Sequence, residues 1–181
     1  AMQRVTPGFK FWTVLRDGLE PLRAKYDYIV MDTSPSLSYM NLNALLAADA
    51  MVMPMVPESL DFISSLSFWK LFSDVSKSFL QYEQDKKYDF VSLVLSKVDY
   101  ARTSSAPIVR AWAESAYEKW LHAIEVPASS VMSTGALAFS TVFDVSSTHS
   151  AAKSLQRVRQ PLVDYCRWID ETYAEKWRNE Q

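Results

Sequence analysis

Three short apolar runs constrain the fold of this chain more than any other feature. They read "YDYIVMD" (26–32), "AMVMPMV" (50–56) and "YDFVSLVLSKVD" (88–99). A continuous apolar run of this length, bounded by polar residues, is typical of a strand that is covered on both faces of a parallel sheet. Apolar residues at helical spacing separate the runs. We therefore predict an α/β fold, with a mostly parallel sheet and flanking helices.

The predicted helices follow from the spacing of their apolar side chains. We expect helices at about 39–47, 59–81, 106–122 and 149–179, and a leading helical segment within 1–25 that breaks near Gly18 and Pro21. The helix at 106–122 is predicted to place Val109, Trp112, Ala116 and Trp120 on one face. Pro54 is expected at a strand end, a bulge or a sheet edge, because proline cannot donate to the ladder. With no repeat or flexible linker, residues 1–181 are predicted to form a single α/β domain.

Composition excludes several classes of protein. The formal net charge of -2 argues against a globally basic nucleic-acid-binding protein, although a local basic patch stays possible. A single cysteine, Cys166, excludes an internal disulfide framework and suits a reducing cytoplasm. No apolar run approaches the roughly 20 residues that a membrane-spanning helix requires. These features predict a cytoplasmic protein.

The first two strands and the helix between them resemble a known family. The stretch "YDYIVMDTSPSLSYMNLNALLAADAMVMPMVPESLDF" (26–62) resembles the Walker B region and its sequel in ParA-type partition ATPases, the deviant Walker A group. "LVLSKVDYARTSS" and "VPASSVMSTGALAFSTVFDV" continue the resemblance, which covers about 19–163. Ser34 departs from the family, which usually has a first proline there. The resemblance implies a P-loop NTPase-like fold of the ParA and MinD group.

The resemblance also implies a nucleotide site. Asp32 would hold the Mg²⁺ of bound ATP through a water molecule, a role that suits a carboxylate because Mg²⁺ prefers oxygen ligands and retains several waters. Thr33, Ser34 and Pro35 would form the switch that senses the terminal phosphate. Lys97, Asp99 and Pro127 would lie on the side of the base. Taken alone, an aspartate after a strand is most often a cap, and Lys97 and Asp99 fit a solvated turn equally well.

Partners are implied in the same way. The parent protein would dimerise on ATP, bind non-specific DNA on the nucleoid, and be stimulated by a ParB-like centromere-binding protein. Candidate DNA contacts are Arg102, Lys153, Arg157 and Arg159, whose charges could neutralise phosphates in a salt-sensitive manner. A solvated helix face is the simpler interpretation of the last three.

The phosphate-binding loop is missing from the sequence. A G-x-x-x-x-G-K-[ST] loop needs paired glycines and a lysine, and the glycines of this chain are Gly8, Gly18 and Gly135. We therefore interpret the chain as the carboxyl-terminal portion of a partition ATPase, incomplete at its amino end. Alone it is expected to bind no ATP or Mg²⁺ tightly and to be inactive. An exposed apolar edge and self-association are expected as well.

Three alternatives remain. The chain could be a truncated, nucleotide-free interaction or dimerisation module, or part of a ParA-like ATPase that positions another cargo. Its terminal helix could also be a membrane anchor of the MinD kind, because Tyr165, Trp168 and Ile169 continue an apolar stripe. However, acidic residues outnumber basic ones from Asp164 onward, whereas helices that lie on membranes favour Lys and Arg. We therefore predict that this helix packs on the body of the protein and that the protein binds no membrane.

Overall fold

The computed structural model of the chain describes residues 10–34, 36, 38–80, 86–100, 105–146 and 152–179. Its helices are α1 (Val14–Leu19, continued by a 3-10 turn at Glu20–Leu22), α2 (Tyr39–Ala47), α3 (Ser59–Leu80), α4 (Ala106–Tyr117, continued by a 3-10 turn at Glu118–Trp120), α5 (Ser130–Leu137) and α6 (Ala152–Asn179). Its strands are β1 (Met51–Met55) and β2 (Val91–Leu95). The predicted helices are therefore present, and α5 is an addition to them.

The two strands lie side by side in a parallel pair. The Met51 amide donates to the Phe90 carbonyl at 3.1 Å, and the Ser96 amide donates to the Met55 carbonyl at 2.8 Å. Helix α3 connects them, as a parallel pair requires a long crossover. The predicted α/β class, with parallel strands and flanking helices, is confirmed.

Residues 121–128 follow the other side of β2. Parallel bridges join Leu93 to Leu121 and Val98 to Pro127. The His122 amide donates to the Leu93 carbonyl, and the Val126 amide to the Leu95 carbonyl, both at 2.8 Å. Because β2 has hydrogen-bonded neighbours on both sides, it is more deeply buried than β1, and Leu93 is 0% exposed.

Pro54 lies in β1 at a position where no ladder bond is lost. The backbone groups of Met51 and Met55 bond to the β2 side, so the nitrogen of Pro54, one residue out of phase, faces away from β2. Among the described residues β1 pairs with β2 alone. The expectation that Pro54 occupies an edge is confirmed.

The strand predicted at residues 26–32 is wrong for this structure. Residues 28–34 have no regular secondary structure, and Val30 is 91% exposed and Tyr26 61%. A parallel strand takes all of its hydrogen bonds from neighbouring strands. In the described part of the chain the only sheet is the β1–β2 pair, so this apolar run is not part of a sheet.

The chain divides into two compact units, Ala1–Met51 with Phe68–Val91, and Val52–Ser67 with Ser92–Gln181. In the first unit, α1 and α2 are in contact, and α2 buries Leu42, Ala44 and Ala47. In the second unit, α6 packs on β2: Tyr165 joins Val94 and Val126 in a buried cluster, with Trp168 and Ile169 against it.

The packing of α6 confirms that its aromatic stripe faces protein, at least at Tyr165, Trp168 and Ile169. No helix in the described residues combines the length and apolar character needed to cross a membrane.

The buried face of α4 differs from the predicted one. Val109, Ala113 and Tyr117 are buried at 1%, 0% and 4% exposure, whereas Trp112 is 45% exposed. These three residues lie four apart, so the helix is rotated relative to the predicted stripe. The Tyr117 hydroxyl lies 2.5 Å from the Ser65 hydroxyl. This hydrogen bond gives the buried tyrosine hydroxyl a partner inside the core. Trp112 instead lies at the rim, where its ring packs on Phe62 with centroids 5.7 Å apart.

Candidate functional site

Asp32 lies at the end of the apolar run 26–32 in the first unit, and it is exposed. Thr33 and Ser34 follow it and are also exposed. Pro35, the third predicted switch residue, lies outside the described residues. Asp32 is an exposed carboxylate, a hard oxygen ligand that solvent, and therefore a hydrated cation, can reach.

The start of α2 holds the loop that follows these residues. Ser38 caps the helix, its hydroxyl accepting from the Asn41 amide at 3.2 Å. The Asn41 side chain donates from Nδ2 to the Ser34 carbonyl at 2.6 Å and to the Ser36 carbonyl. The hydroxyls of Ser34 and Ser36 are 2.9 Å apart. The loop backbone is thus tied to the helix by a side chain that sequence analysis did not single out.

The residues present fit Mg²⁺ only as part of a larger complex. Among the described residues no group of three or more His, Cys, Asp or Glu side chains could hold a metal ion. A single exposed carboxylate suits a cation whose remaining ligands are nucleotide phosphates and waters, which is the usual way in which proteins bind Mg²⁺. Asp32 is therefore compatible with an outer-shell role and not with a metal site of its own.

The predicted base-side residues lie together in the second unit, at the carboxyl end of β2. The Val98 amide donates to the Val126 carbonyl at 3.1 Å, and the Ala128 amide to the Val98 carbonyl at 2.9 Å. Pro127 therefore lies beside Val98, which is the residue between Lys97 and Asp99. Lys97 and Asp99 are exposed, and Pro127 is buried. Lys97 has a φ of 52°, an uncommon left-handed conformation for a residue other than glycine, which marks the point where the chain turns out of β2.

A polar network that sequence reasoning missed stands next to this strand end. Arg110 donates from Nε and Nη2 to the two carboxylate oxygens of Glu125, at 2.6 and 2.7 Å. The Tyr100 hydroxyl donates to Glu125 Oε2 at 2.9 Å. The hydrogen bond to Glu125 raises the pKa of Arg110, and burial is the main reason that the pKa of Tyr100 is raised. No spacing signal could reveal these pairs, because their members lie on different elements.

The predicted DNA contacts have different environments. Arg102 lies outside the described residues. Lys153 and Arg157 are exposed on α6 and four residues apart, so they share one face of the helix, and the Arg157 guanidinium lies 5.6 Å from the Tyr100 ring centroid. Arg159 instead donates to the backbone carbonyls of Val142, Phe143 and Val145, at 2.8, 2.9 and 2.7 Å. Its guanidinium therefore fixes the segment before α6, and a phosphate would compete with three internal bonds.

Comparison with known proteins supports the family suggested by the sequence. A family profile described as an AAA domain (AAA_31) matches residues 5–92, which include Asp32. The chromosome partitioning protein ParA of Myxococcus xanthus is 56% identical over 41 residues, covering 23% of this chain and 14% of that protein. Protein SopA of Escherichia coli K12 is 26% identical over 133 residues, covering 72% of this chain and 33% of that protein.

The chain is similar to the ParA-type partition ATPases. A solved structure titled "Partition Protein" shares its fold, with a TM-score of 0.61 at 18% identity over 90% of this chain and 40% of that one. The chain spans a third or less of the length of the two sequence relatives named above. Asp32 lies within the matched profile, whereas Lys97, Asp99, Pro127 and α6 lie beyond it.

Proposed function

We propose that the protein is a Mg-ATP-dependent DNA-partition ATPase that moves a plasmid or a chromosome origin. The observation that supports this most is the position of Asp32. It is an exposed carboxylate directly after an apolar run, ahead of helix α2, which has the bounds predicted from the sequence, and within the region that the family profile matches.

The chemistry assigned to Asp32 is electrostatic. When ATP and Mg²⁺ are bound, the cation neutralises charge on the phosphates, and the carboxylate of Asp32 would orient one of the cation's waters. Thr33, Ser34 and Pro35 would respond to the terminal phosphate. Lys97, Asp99 and Pro127 would line the base side, where an exposed lysine and aspartate can supply polar contacts to a purine.

Binding of non-specific DNA is proposed for the exposed basic residues of α6. Lys153 and Arg157 can each neutralise a phosphate and release counterions, which makes the affinity fall with salt. Arg159 is a weaker candidate because its guanidinium already has three acceptors. ATP-dependent dimerisation, association with the nucleoid and stimulation by a ParB-like partner complete the proposal.

The test compares two aspartates of the same segment in the full-length gene product. Asp27 and Asp32 are both exposed and lie five residues apart. We expect Asp32→Asn to lower Mg-dependent ATP turnover roughly 10- to 100-fold, as loss of an outer-shell ligand does. Asp27→Asn, the matched control, should leave turnover unchanged. Equal turnover in the Asp32→Asn variant and the wild type would contradict the assignment.

A second candidate is an interaction or dimerisation module without nucleotide. The exposed apolar run around Val30, at 91% exposure, favours it, because such a run can pair with another chain. The coding sequence upstream of Met2 separates the two. A K-G-G-x-G-K-[ST] stretch about 100 residues earlier supports the ATPase, whereas an in-frame stop supports the module. Positioning of a different cargo by the same ATPase chemistry would need a cargo-specific assay.

A further inference from the structure

Asn41 is a buried residue whose side-chain nitrogen, Nδ2, donates to the loop after Asp32. It is 8% exposed and occupies the first turn of α2. Its amide nitrogen donates to two backbone carbonyls, those of Ser34 at 2.6 Å and Ser36, and has the hydroxyls of the same two serines at 3.2 and 3.4 Å. The Ser36 amide in turn donates to the Ser34 carbonyl at 2.8 Å.

This arrangement differs from the usual capping box. There the side chain three residues after the cap accepts a hydrogen bond from the cap's own backbone amide. Here Ser38 caps the helix, and the residue at that position, Asn41, donates instead of accepting and reaches past the cap into the loop. Helix capping therefore does not require the side-chain amide of Asn41, and the loop is its main target.

We propose that Asn41 is a positioning residue for the switch loop, acting through the backbone of Ser34 and Ser36. This inference rests on the proposed function of Asp32 and its neighbours. Holding the Ser34 and Ser36 carbonyls by hydrogen bonds restricts the backbone at these two residues before Mg-ATP binds. The loop then meets the nucleotide in one conformation, and less ordering has to accompany binding.

Asn43 provides a matched control in the same helix. It is also 8% exposed, but its Nδ2 donates to the Tyr39 carbonyl at 2.9 Å and its Oδ1 accepts from the Leu15 amide at 3.3 Å. It connects α2 to α1, and its side chain makes no hydrogen bond to the two described loop residues, Ser34 and Ser36. A change of Asn43 to Asp removes one buried donor, as the same change at Asn41 does, without touching Ser34 or Ser36.

The test uses Asn41→Asp, Asn41→Ala and Asn43→Asp in the full-length gene product. Aspartate has the same shape as asparagine but only accepts hydrogen bonds, so it would face the two loop carbonyls with like partial charge. An acid in the first turn favours the helix itself, so α2 is expected to remain. Asn41→Ala removes the donor without adding charge and serves if the aspartate variant fails to fold.

We expect both Asn41 variants to raise the dissociation constant for Mg-ATP on the order of tenfold, with the affinity for ATP in EDTA unchanged. The exchange rate of the Ser36 amide, followed by NMR without nucleotide, should rise by a similar factor. Asn43→Asp should change neither quantity, even if it lowers the melting temperature as much as Asn41→Asp does.

The outcomes separate this inference from the proposed function. A wild-type protein that does not bind Mg-ATP would overturn the proposed function and this inference with it. Wild-type binding together with unchanged Mg-ATP affinity in both Asn41 variants would overturn the inference alone. Loss of affinity in Asn43→Asp equal to that in Asn41→Asp would also overturn it, since the effect would then come from general loosening of α2.

Discussion

Residues 26–32 and 88–99 begin alike in sequence and differ in structure. Each starts with Tyr-Asp, continues with apolar residues and ends in an aspartate, Asp32 or Asp99. In the second region β2 has hydrogen-bonded neighbours on both sides, and Leu93 is 0% exposed. In the first region residues 28–34 have no regular structure, and Val30 is 91% exposed.

The difference shows what an apolar run specifies. The run makes burial favourable, by about 25 cal/mol for each Å² of apolar surface removed from water. Hydrogen bonds of a strand come from other strands, so the same run forms a strand only where partners flank it. A helix makes its own hydrogen bonds within the segment. Helix α2 therefore has the predicted bounds, although the apolar run before it forms no strand.

The largest effect is expected from placing a charge at one valine of each region, Val94 in the second and Val30 in the first. Val94 is 5% exposed and packs in the cluster with Val126 and Tyr165, so Val94→Asp buries a charge without a partner. We expect it to lower the free energy of unfolding by about 4 kcal/mol or more. Val30→Asp, at an exposed position, should change it by less than about 0.5 kcal/mol. Urea unfolding followed by circular dichroism measures both.

The two valines also define how the comparison would fail. If Val30→Asp destabilised the chain as strongly as Val94→Asp, residues 26–32 would be buried in solution. The contrast between the regions would then disappear.

An intermediate effect is expected where side chains support the end of β2. Arg110 and Glu125 form a bidentate ion pair, with 31% and 17% of their side chains exposed. Arg110→Ala should cost about 2 kcal/mol, because it leaves a half-buried carboxylate with fewer donors. The control is Arg167→Ala, whose pair with Asp164 is 59% and 37% exposed and should contribute less than about 0.5 kcal/mol. Equal costs in urea titrations would show that the network does not support this region.

The smallest effect concerns pH. His122 Nδ1 accepts from the Ile124 amide at 3.0 Å, and its ring packs edge-on against Tyr165 and Trp168. Burial lowers the pKa of His122 below its ordinary value of 6.5. Since the unfolded chain then binds the proton more tightly, stability is lost as pH falls from about 6.5 through the lowered folded pKa.

His122→Asn tests this pH dependence, because Oδ1 of asparagine can still accept from the Ile124 amide and has no proton to gain. The variant should show a shallower loss of unfolding free energy between pH 7 and 5 than the wild type. Identical slopes would show that His122 does not contribute.

Sequence reasoning predicted the elements that depend on local pattern. The α/β class, the helices α2, α3 and α6 and the strands β1 and β2 follow from periodicity and from apolar runs. The rotation of α4 could not be predicted, because Val109, Ala113 and Tyr117 are selected by packing and by the Ser65 hydroxyl.

The candidate site likewise contains residues that the sequence pattern identifies and residues that only the folded structure reveals. Asp32 is recognisable because its flanking pattern is specific. Asn41 and the Arg110–Glu125 pair are not, because their importance comes from partners that only folding brings near. The apolar run at 26–32 is the opposite case. It has the sequence pattern of a strand, but no strand among the described residues forms backbone hydrogen bonds with it.

Amide hydrogen exchange of the 181-residue chain tests the contrast between the two regions most directly. It should be measured at the lowest usable concentration, because self-association through residues 26–32 would itself slow exchange. We predict that amides of residues 28–33 exchange within about tenfold of an unstructured peptide, while those of Val91–Leu95 are slowed at least about a thousandfold. Protection of residues 28–33 equal to that of β2 in a monomeric sample would contradict the account.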